Sequence, residues 1–184
     1  MVMRSLLSLI FVGFLILSAC SPANNTSEKS TLLNLPDLGI APELTNTVWI
    51  NTPNPLRLAD LKGKVVIIDM WTFGCINCRN VIPHLIDWHD KYSSEGLVII
   101  GNHFPEFERE SVLSNLEQAV KELKIPYAVA EDNLGKTWKA YETRYWPSLY
   151  LIDKQGHIRY THIGEGKYQE TEDAIILLLN EKEN

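Results

Sequence analysis

The apolar positions of residues 64–71 run almost without interruption, which is typical of a strand buried on both faces of a sheet. After Gly74, where we expect a turn, the spacing becomes that of a helix. One side of this helix carries Cys78, Ile82, Leu85, His89 and Tyr92. The pattern therefore predicts a buried strand followed by a helix that starts at Cys75.

The same patterns predict the remaining elements of an α/β domain. Further strands are expected at residues 48–50, 56–58, 97–101, 127–130, 148–153 and 157–163. Helices are expected at residues 112–123 and 169–180, with a short one around Trp138 and Tyr141. The last two strands flank Lys154-Gln155-Gly156, a hairpin signal that makes them antiparallel. We therefore expect a central mixed sheet flanked by helices.

The two cysteines at the start of the first predicted helix suggest thiol chemistry. The N–H groups of a first helical turn have no partner within the helix, and the helix dipole is positive there, so a thiolate at Cys75 is favoured. Cys78 lies three residues later on the same side, within reach of a mixed disulfide formed at Cys75. We interpret Cys75 as a nucleophile and Cys78 as a resolving thiol.

This stretch resembles the active site of the thioredoxin superfamily. Asp69 lies six residues before Cys75, Trp71 occupies the family's tryptophan position, and Pro83 follows Cys75 by eight residues. The segment 146–153 resembles the family's cis-proline loop and the strand that follows it. The resemblance implies a thioredoxin fold in which a cis-proline faces the N-terminus of the Cys-x-x-Cys helix.

Asp69 shares a strand face with Val65 and Ile67, so its carboxyl group is predicted to lie among apolar neighbours. Desolvation raises the pKa of such a group towards neutrality. In the superfamily this acid takes the proton of the resolving thiol, which here would be Cys78. The alternative is a carboxylate at a solvated strand end.

The superfamily resemblance also predicts a substrate-binding surface. If Pro147 is cis, neighbouring backbone groups would face an extended substrate beside Cys75, and Trp146 would touch it. Ile76 and Asn77, between the cysteines, complete the predicted surface. The alternative for Trp146 and Pro147 is a plain turn.

A narrower resemblance covers residues 58–179. The Cys75-Ile76-Asn77-Cys78 motif, the loop 103–107, and the segments 144–147 and 163–166 together resemble the thioredoxin-like module of DipZ-type membrane proteins. This resemblance implies electron transfer to disulfides outside the cytoplasm, with a membrane protein as electron donor. It favours a reductant, in cytochrome c maturation or thiol repair.

The N-terminal residues indicate export. Arg4 precedes an apolar run at residues 6–17, and Leu17-Ser18-Ala19-Cys20 resembles a bacterial lipobox. We predict a lipoprotein signal peptide at residues 1–19, a flexible tether at 20–31 that begins with lipidated Cys20, and a thioredoxin-like domain at 32–184. This places the domain on the extracytoplasmic face of a bacterial membrane, as a periplasmic lipoprotein. An uncleaved anchor or a free third thiol are the alternatives.

The composition of the chain argues against several other classes of function. The net charge of −6 does not suit a phosphate-binding surface, so we expect no nucleic-acid partner. The three cysteines are assigned to lipidation and to the Cys-x-x-Cys pair, which leaves none for a structural disulfide framework. No cofactor motif is present, and we expect no cofactor and no bound metal.

Three alternatives remain open at this point. A zinc site would have to combine Cys75 and Cys78 with His84 or His89. A copper-delivery protein of this fold would be expected to separate its cysteines by three residues instead of two, and a thiol peroxidase is the third alternative.

His103 either lies beside the cysteines or is an ordinary hydrogen-bonded loop residue.

Overall fold

The computed structural model describes residues 34–182, which form a six-stranded mixed sheet with helices on both faces. The strands are β1 (Trp49–Ile50), β2 (Val65–Trp71), β3 (Leu97–His103), β4 (Ala128–Glu131), β5 (Ser148–Ile152) and β6 (Ile158–Ile163). The helices are α1 (Ile76–Tyr92), α2 (Leu113–Glu122), α3 (Lys136–Ala140) and α4 (Tyr168–Leu179). Short 3-10 helices occupy Leu58–Leu61, Ser93–Glu95 and Glu108–Ser111.

The central strand β2 lies between a parallel and an antiparallel neighbour. The spatial order is β1-β4-β3-β2-β5-β6, with β2, β3 and β4 parallel and β5, β6 and β1 paired antiparallel to their neighbours. All seven residues of β2 are buried, as its continuous apolar run predicts. The predicted α/β class and mixed sheet are confirmed.

The two faces of β2 contribute to two separate hydrophobic cores because side chains alternate along a strand. Val65, Ile67 and Trp71 pack with buried residues of α1 and α4. Val66, Ile68 and Met70 pack on the opposite face with Trp138 and Tyr141. The first of these cores contains Cys78.

Two predicted segments differ in the structure. Residues 56–58 do not form a strand, because the N–H groups of Leu58 and Ala59 donate to the carboxylate of Glu43 and a 3-10 helix begins at Leu58. Strand β3 extends two residues further than expected, through Asn102 and His103, because it keeps its parallel pairing with β2 to that point. His103 is therefore a strand residue, and the prediction of a loop position was wrong.

The signal peptide, Cys20, the tether and the start of the domain at residues 32–33 lie outside the described residues. Within residues 34–182, no helix combines the length and hydropathy needed to cross a membrane.

Candidate active site

The cysteine pair lies at the start of α1, just after the end of β2. Cys75 is the N-cap residue of α1, and its Sγ accepts a hydrogen bond from the backbone N–H of Cys78 at 3.1 Å. The two residues form a disulfide, with Cα atoms 5.3 Å apart. Cys75 is half-buried, whereas Cys78 is only 1% exposed. An incoming thiol or disulfide can therefore reach Cys75, while Cys78 can be reached only from within the protein.

An open groove of about 430 Å³ borders Cys75. Its lining includes three of the four residues predicted to bind substrate, Ile76, Asn77 and Trp146. The fourth, Pro147, is buried, and the Trp146-Pro147 peptide bond is cis as the superfamily resemblance implies. Ile76 is 68% exposed, so the groove offers an apolar side chain directly beside the reactive sulfur.

Trp146 is held in place by an aromatic stack. Its ring lies 4.4 Å from that of Trp138 and 5.8 Å from that of Phe104, measured between centroids. Its indole N–H also donates to the carbonyl oxygen of Phe104 at 3.2 Å. One wall of the groove is therefore an aromatic surface that is fixed before any substrate arrives.

Asp69 is 2% exposed and lies on the β2 face that also carries Val65 and Ile67. Burial raises the pKa of its carboxyl group to about 8. Within residues 34–182, Oδ1 of Asp69 has no hydrogen-bond partner. The carboxyl group does not lie at a solvated strand end, and it can gain or lose a proton near neutral pH.

His103 lies at the end of β3, beside the segment that leads to the cysteines. Its ring stacks on Phe73 at 5.4 Å, and its Nε2 lies 3.2 Å from Oγ1 of Thr72. Burial lowers the pKa of His103 to about 4, against the opposing effect of the Glu110 charge. The imidazole is therefore neutral at physiological pH.

Glu110 is a site residue that sequence reasoning missed. It is 1% exposed, and its Oε2 accepts hydrogen bonds from Oγ1 of Thr72 at 2.6 Å and from the N–H groups of Glu106 and Phe107 at 2.9 and 3.3 Å. Because the Thr72 hydroxyl donates its one hydrogen to Glu110, the Nε2 of His103 is the donor to Thr72. A chain of three side chains therefore connects the end of β3 to the turn before Cys75.

Gly74 explains how closely Glu110 approaches the turn before Cys75. A Cβ atom on Gly74 would overlap Oε1 of Glu110. Gly74 is absent from the described residues with positive φ, so close approach, and not a left-handed backbone, requires glycine here. A glycine directly before Cys75 was the sequence signal for this packing, but it was interpreted only as a turn residue.

The histidines considered as metal ligands take part in other contacts. His84 stacks on Tyr168 with ring centroids 3.5 Å apart, and His89 lies near Tyr127 at 6.1 Å. In the part of the chain that the structure describes, no group of three or more His, Cys, Asp or Glu side chains is arranged to hold a metal ion.

Comparison with known proteins places this site in a family. Residues 40–161 match the AhpC/TSA family. Protein DipZ of Mycobacterium tuberculosis is 45% identical over 150 residues, which cover 80% of this chain and 22% of DipZ. The chain thus spans about a fifth of the length of that relative. Thiol-disulfide oxidoreductase YkuV of Bacillus subtilis is 26% identical over 144 residues, which cover 77% of this chain and 95% of YkuV.

Solved structures agree with this assignment. The crystal structure of a thioredoxin-like superfamily protein matches with a TM-score of 0.73 and 32% identity, and the match covers 78% of this chain and 97% of that one. The alignment thus extends over nearly all of a thioredoxin-like protein. The chain belongs to the AhpC/TSA family and, with it, to the thioredoxin-like superfamily.

Proposed function

We propose that this protein is an extracytoplasmic thiol-disulfide oxidoreductase that reduces disulfides in protein substrates through Cys75 and Cys78. The observation that carries the proposal is the asymmetry of the pair. Cys75 caps α1 and borders an open groove, while Cys78 is buried beneath it in the core. One sulfur is thus available to a substrate, and the other is reserved for the second step.

The reaction proceeds in two exchanges. The Cys75 thiolate attacks one sulfur of the substrate disulfide, the substrate S–S bond breaks, and its second sulfur leaves as a thiolate that takes up a proton. Cys78 then loses its proton to Asp69 and attacks Sγ of Cys75, which releases the first substrate sulfur. Two electrons pass to the substrate, and the protein is left with the Cys75–Cys78 disulfide.

One buried carboxylate supports the reductant direction. A thiolate stabilises the reduced form of such a pair, and reduced forms that are strongly stabilised make oxidants. Glu110 places a carboxylate against Gly74, next to Cys75, and opposes a thiolate there. This effect counters that of the α1 N-terminus and that of the guanidinium groups of Arg79 and Arg109, which are exposed and therefore more strongly screened by solvent than the buried carboxylate.

The cellular setting is proposed from the N-terminal sequence and the DipZ resemblance. Residues 1–19 direct export, lipidated Cys20 anchors the chain to the membrane, and residues 20–31 tether the domain on the extracytoplasmic face. A membrane protein then re-reduces Cys75 and Cys78. Oxidised cytochrome c apoprotein or damaged extracytoplasmic thiols are the candidate substrates.

A trapping experiment tests the proposal. The reduced protein should reduce insulin disulfides, Cys75→Ser should abolish the reaction, and Cys78→Ser should accumulate a mixed disulfide with insulin at Cys75. Intact mass spectrometry under non-reducing conditions measures this product. Unchanged activity in Cys75→Ser would contradict the proposal. So would rapid peroxide turnover or tight stoichiometric metal binding by the reduced protein without disulfide exchange.

A further inference from the structure

Two arginine side chains line a second cavity beside the cysteine turn. This cavity has a volume of about 370 Å³ and is bordered by Phe73, Gly74, Arg79 and Arg109. Gly74 also borders the groove that contains Cys75, so the two cavities meet at the residue before the reactive sulfur. Nη2 of Arg109 lies 3.4 Å from the position that a Cβ on Gly74 would take.

Neither guanidinium group has a partner among residues 34–182. Neither Arg79 nor Arg109 donates a side-chain hydrogen bond or forms an ion pair within 4 Å in that part of the chain, and both side chains are exposed. Arg159, by contrast, pairs with Asp153 at 3.0 Å and Glu181 at 3.2 Å. Two unpaired arginines at the mouth of the site leave their donors available to a ligand.

The backbone that carries Arg109 is fixed. The side-chain amide of Asn115 donates to the carbonyl oxygen of Arg109 at 2.8 Å, and the carboxylate of Glu110 holds the N–H groups just before it. Arg79 lies in the first turn of α1, a rigid element. Two carboxylates lie near the cavity. That of Glu122 accepts a hydrogen bond from Gln118 at 2.7 Å, and that of Glu110, beside Gly74, accepts three hydrogen bonds through Oε2.

We propose that this cavity binds a carboxylate side chain of the polypeptide substrate, close in sequence to its disulfide cysteine. The planar guanidinium group presents paired N–H donors that match the two oxygens of a carboxylate. A substrate whose sulfur meets Cys75 and whose chain crosses Gly74 places a neighbouring side chain between Arg79 and Arg109. The net charge of −6 disfavours acidic partners in general. The two arginines make an exception at one position of the substrate chain, where a carboxylate side chain is favoured.

This inference rests on the proposed function and names the class of substrate for the same site. The attack by Cys75 and the resolution by Cys78 proceed as above, with the carboxylate held in place throughout and not consumed. Binding energy from a group remote from the reacting sulfur serves here to orient the disulfide towards Cys75.

Paired disulfide peptides test the inference. A single Glu, or Gln in the matched peptide, is moved through the two positions on either side of the cysteine, and the reduced protein is mixed with each peptide in a stopped-flow instrument. At the favoured position the Glu peptide should react about fivefold faster than its Gln partner in low salt. In the Arg79→Gln/Arg109→Gln double variant the rate ratio should fall to about one.

The ratio of the Glu-peptide rate to the Gln-peptide rate separates recognition of the carboxylate from the reactivity of Cys75. Loss of two positive charges near Cys75 alters its thiolate fraction, but that change affects both peptides of a pair equally and cancels in the ratio. Lys121→Gln, at an exposed position on α2 outside the cavity lining, removes one positive charge and should leave the ratio unchanged. Equal rates for every Glu and Gln pair, or a ratio that survives in the double variant, would overturn the inference. Failure to reduce the Gln peptides at all would instead count against the proposed function.

Discussion

At the scale of single residues, Asp69 is the clearest case of a side chain whose environment defines its chemistry. A carboxyl group with a pKa of about 8 is mostly protonated at neutral pH, so the Cys78 proton passes to its ionised fraction, which forms at little cost because the pKa lies close to neutrality. Its position on a fully buried strand gives it this property.

Replacement of Asp69 by Asn should slow the second exchange. Asn keeps the shape of the side chain but cannot accept a proton, so resolution of a mixed disulfide should slow by about tenfold or more while its formation changes little. Rapid chemical quench with a disulfide peptide measures both steps. Equal slowing of formation and resolution would argue against a proton acceptor at this position.

The position of Glu110 predicts an effect on thiol reactivity. Glu110→Gln removes the charge beside Gly74, so the fraction of Cys75 present as thiolate at a given pH should rise, and the pair should become more oxidising. Thiolate absorbance at 240 nm, followed against pH, measures the first effect. Glu108→Gln is the matched control, since Glu108 is exposed in the same short helix. Identical titration curves for Glu110→Gln and the wild-type protein would show that Glu110 has no effect on the thiolate at Cys75.

At the scale of elements, α1 connects the cysteines to the core. Its buried side chains include Leu85, which is fully buried in the same core as Cys78. The element therefore both stabilises the fold and supports the sulfur that resolves the mixed disulfide.

Leu85→Ala should destabilise the protein by about 2–5 kcal/mol, because it leaves a cavity between α1 and the sheet. Denaturant unfolding followed by circular dichroism measures the free energy of unfolding. The control is Leu134→Ala, whose side chain is 72% exposed and whose replacement should cost less than about 0.5 kcal/mol. A similar small loss for both variants would show that the α1 core is not packed as described.

How far the sequence predicts these elements depends on whether local pattern or long-range pairing determines them. β2, α1 and the β5-β6 hairpin follow from local periodicity and turn residues, and they were predicted with small errors at their ends. The extension of β3 to His103 depends on pairing with β2, which no local pattern reveals. The 3-10 helix at Leu58 likewise depends on Glu43, fifteen residues earlier.

In the candidate site, too, residues in sequence motifs were predicted, whereas a residue that depends on long-range contacts was missed. Cys75, Cys78, Asp69, Trp146 and Pro147 occupy motif positions of the superfamily, so their positions followed from the resemblance. Glu110 was missed because its importance arises from contacts with Thr72 and Gly74, more than thirty residues earlier in the chain. Nothing in the acidic run 106–110 distinguishes the one buried glutamate from its exposed neighbours.

At the scale of the whole molecule, two buried titratable groups should give stability a characteristic dependence on pH. Burial raises the pKa of Asp69 from 3.8 to about 8, so the folded state binds the extra proton between these values, and this contribution to stability falls as pH rises through that range. Burial lowers the pKa of His103 from 6.5 to about 4, so its contribution is lost as pH falls through that range.

Asp69→Asn should therefore raise the free energy of unfolding at pH 8 relative to the wild-type protein, and much less at pH 4. Denaturant unfolding at the two pH values, with the disulfide intact, measures the difference. An equal change at both pH values would contradict a protonated buried carboxyl group.

The reduction potential of the Cys75–Cys78 pair decides whether the protein donates electrons to substrate disulfides. At equilibrium with a glutathione buffer, two glutathione thiols supply two electrons and two protons to the protein disulfide and become one glutathione disulfide. We predict a potential close to that of thioredoxin, about −270 mV, since the buried carboxylate of Glu110 opposes a thiolate at Cys75. A potential near about −120 mV, typical of strong oxidants, would contradict the reductant assignment. Failure of Cys75 and Cys78 to form a disulfide at all would contradict thiol-disulfide exchange itself.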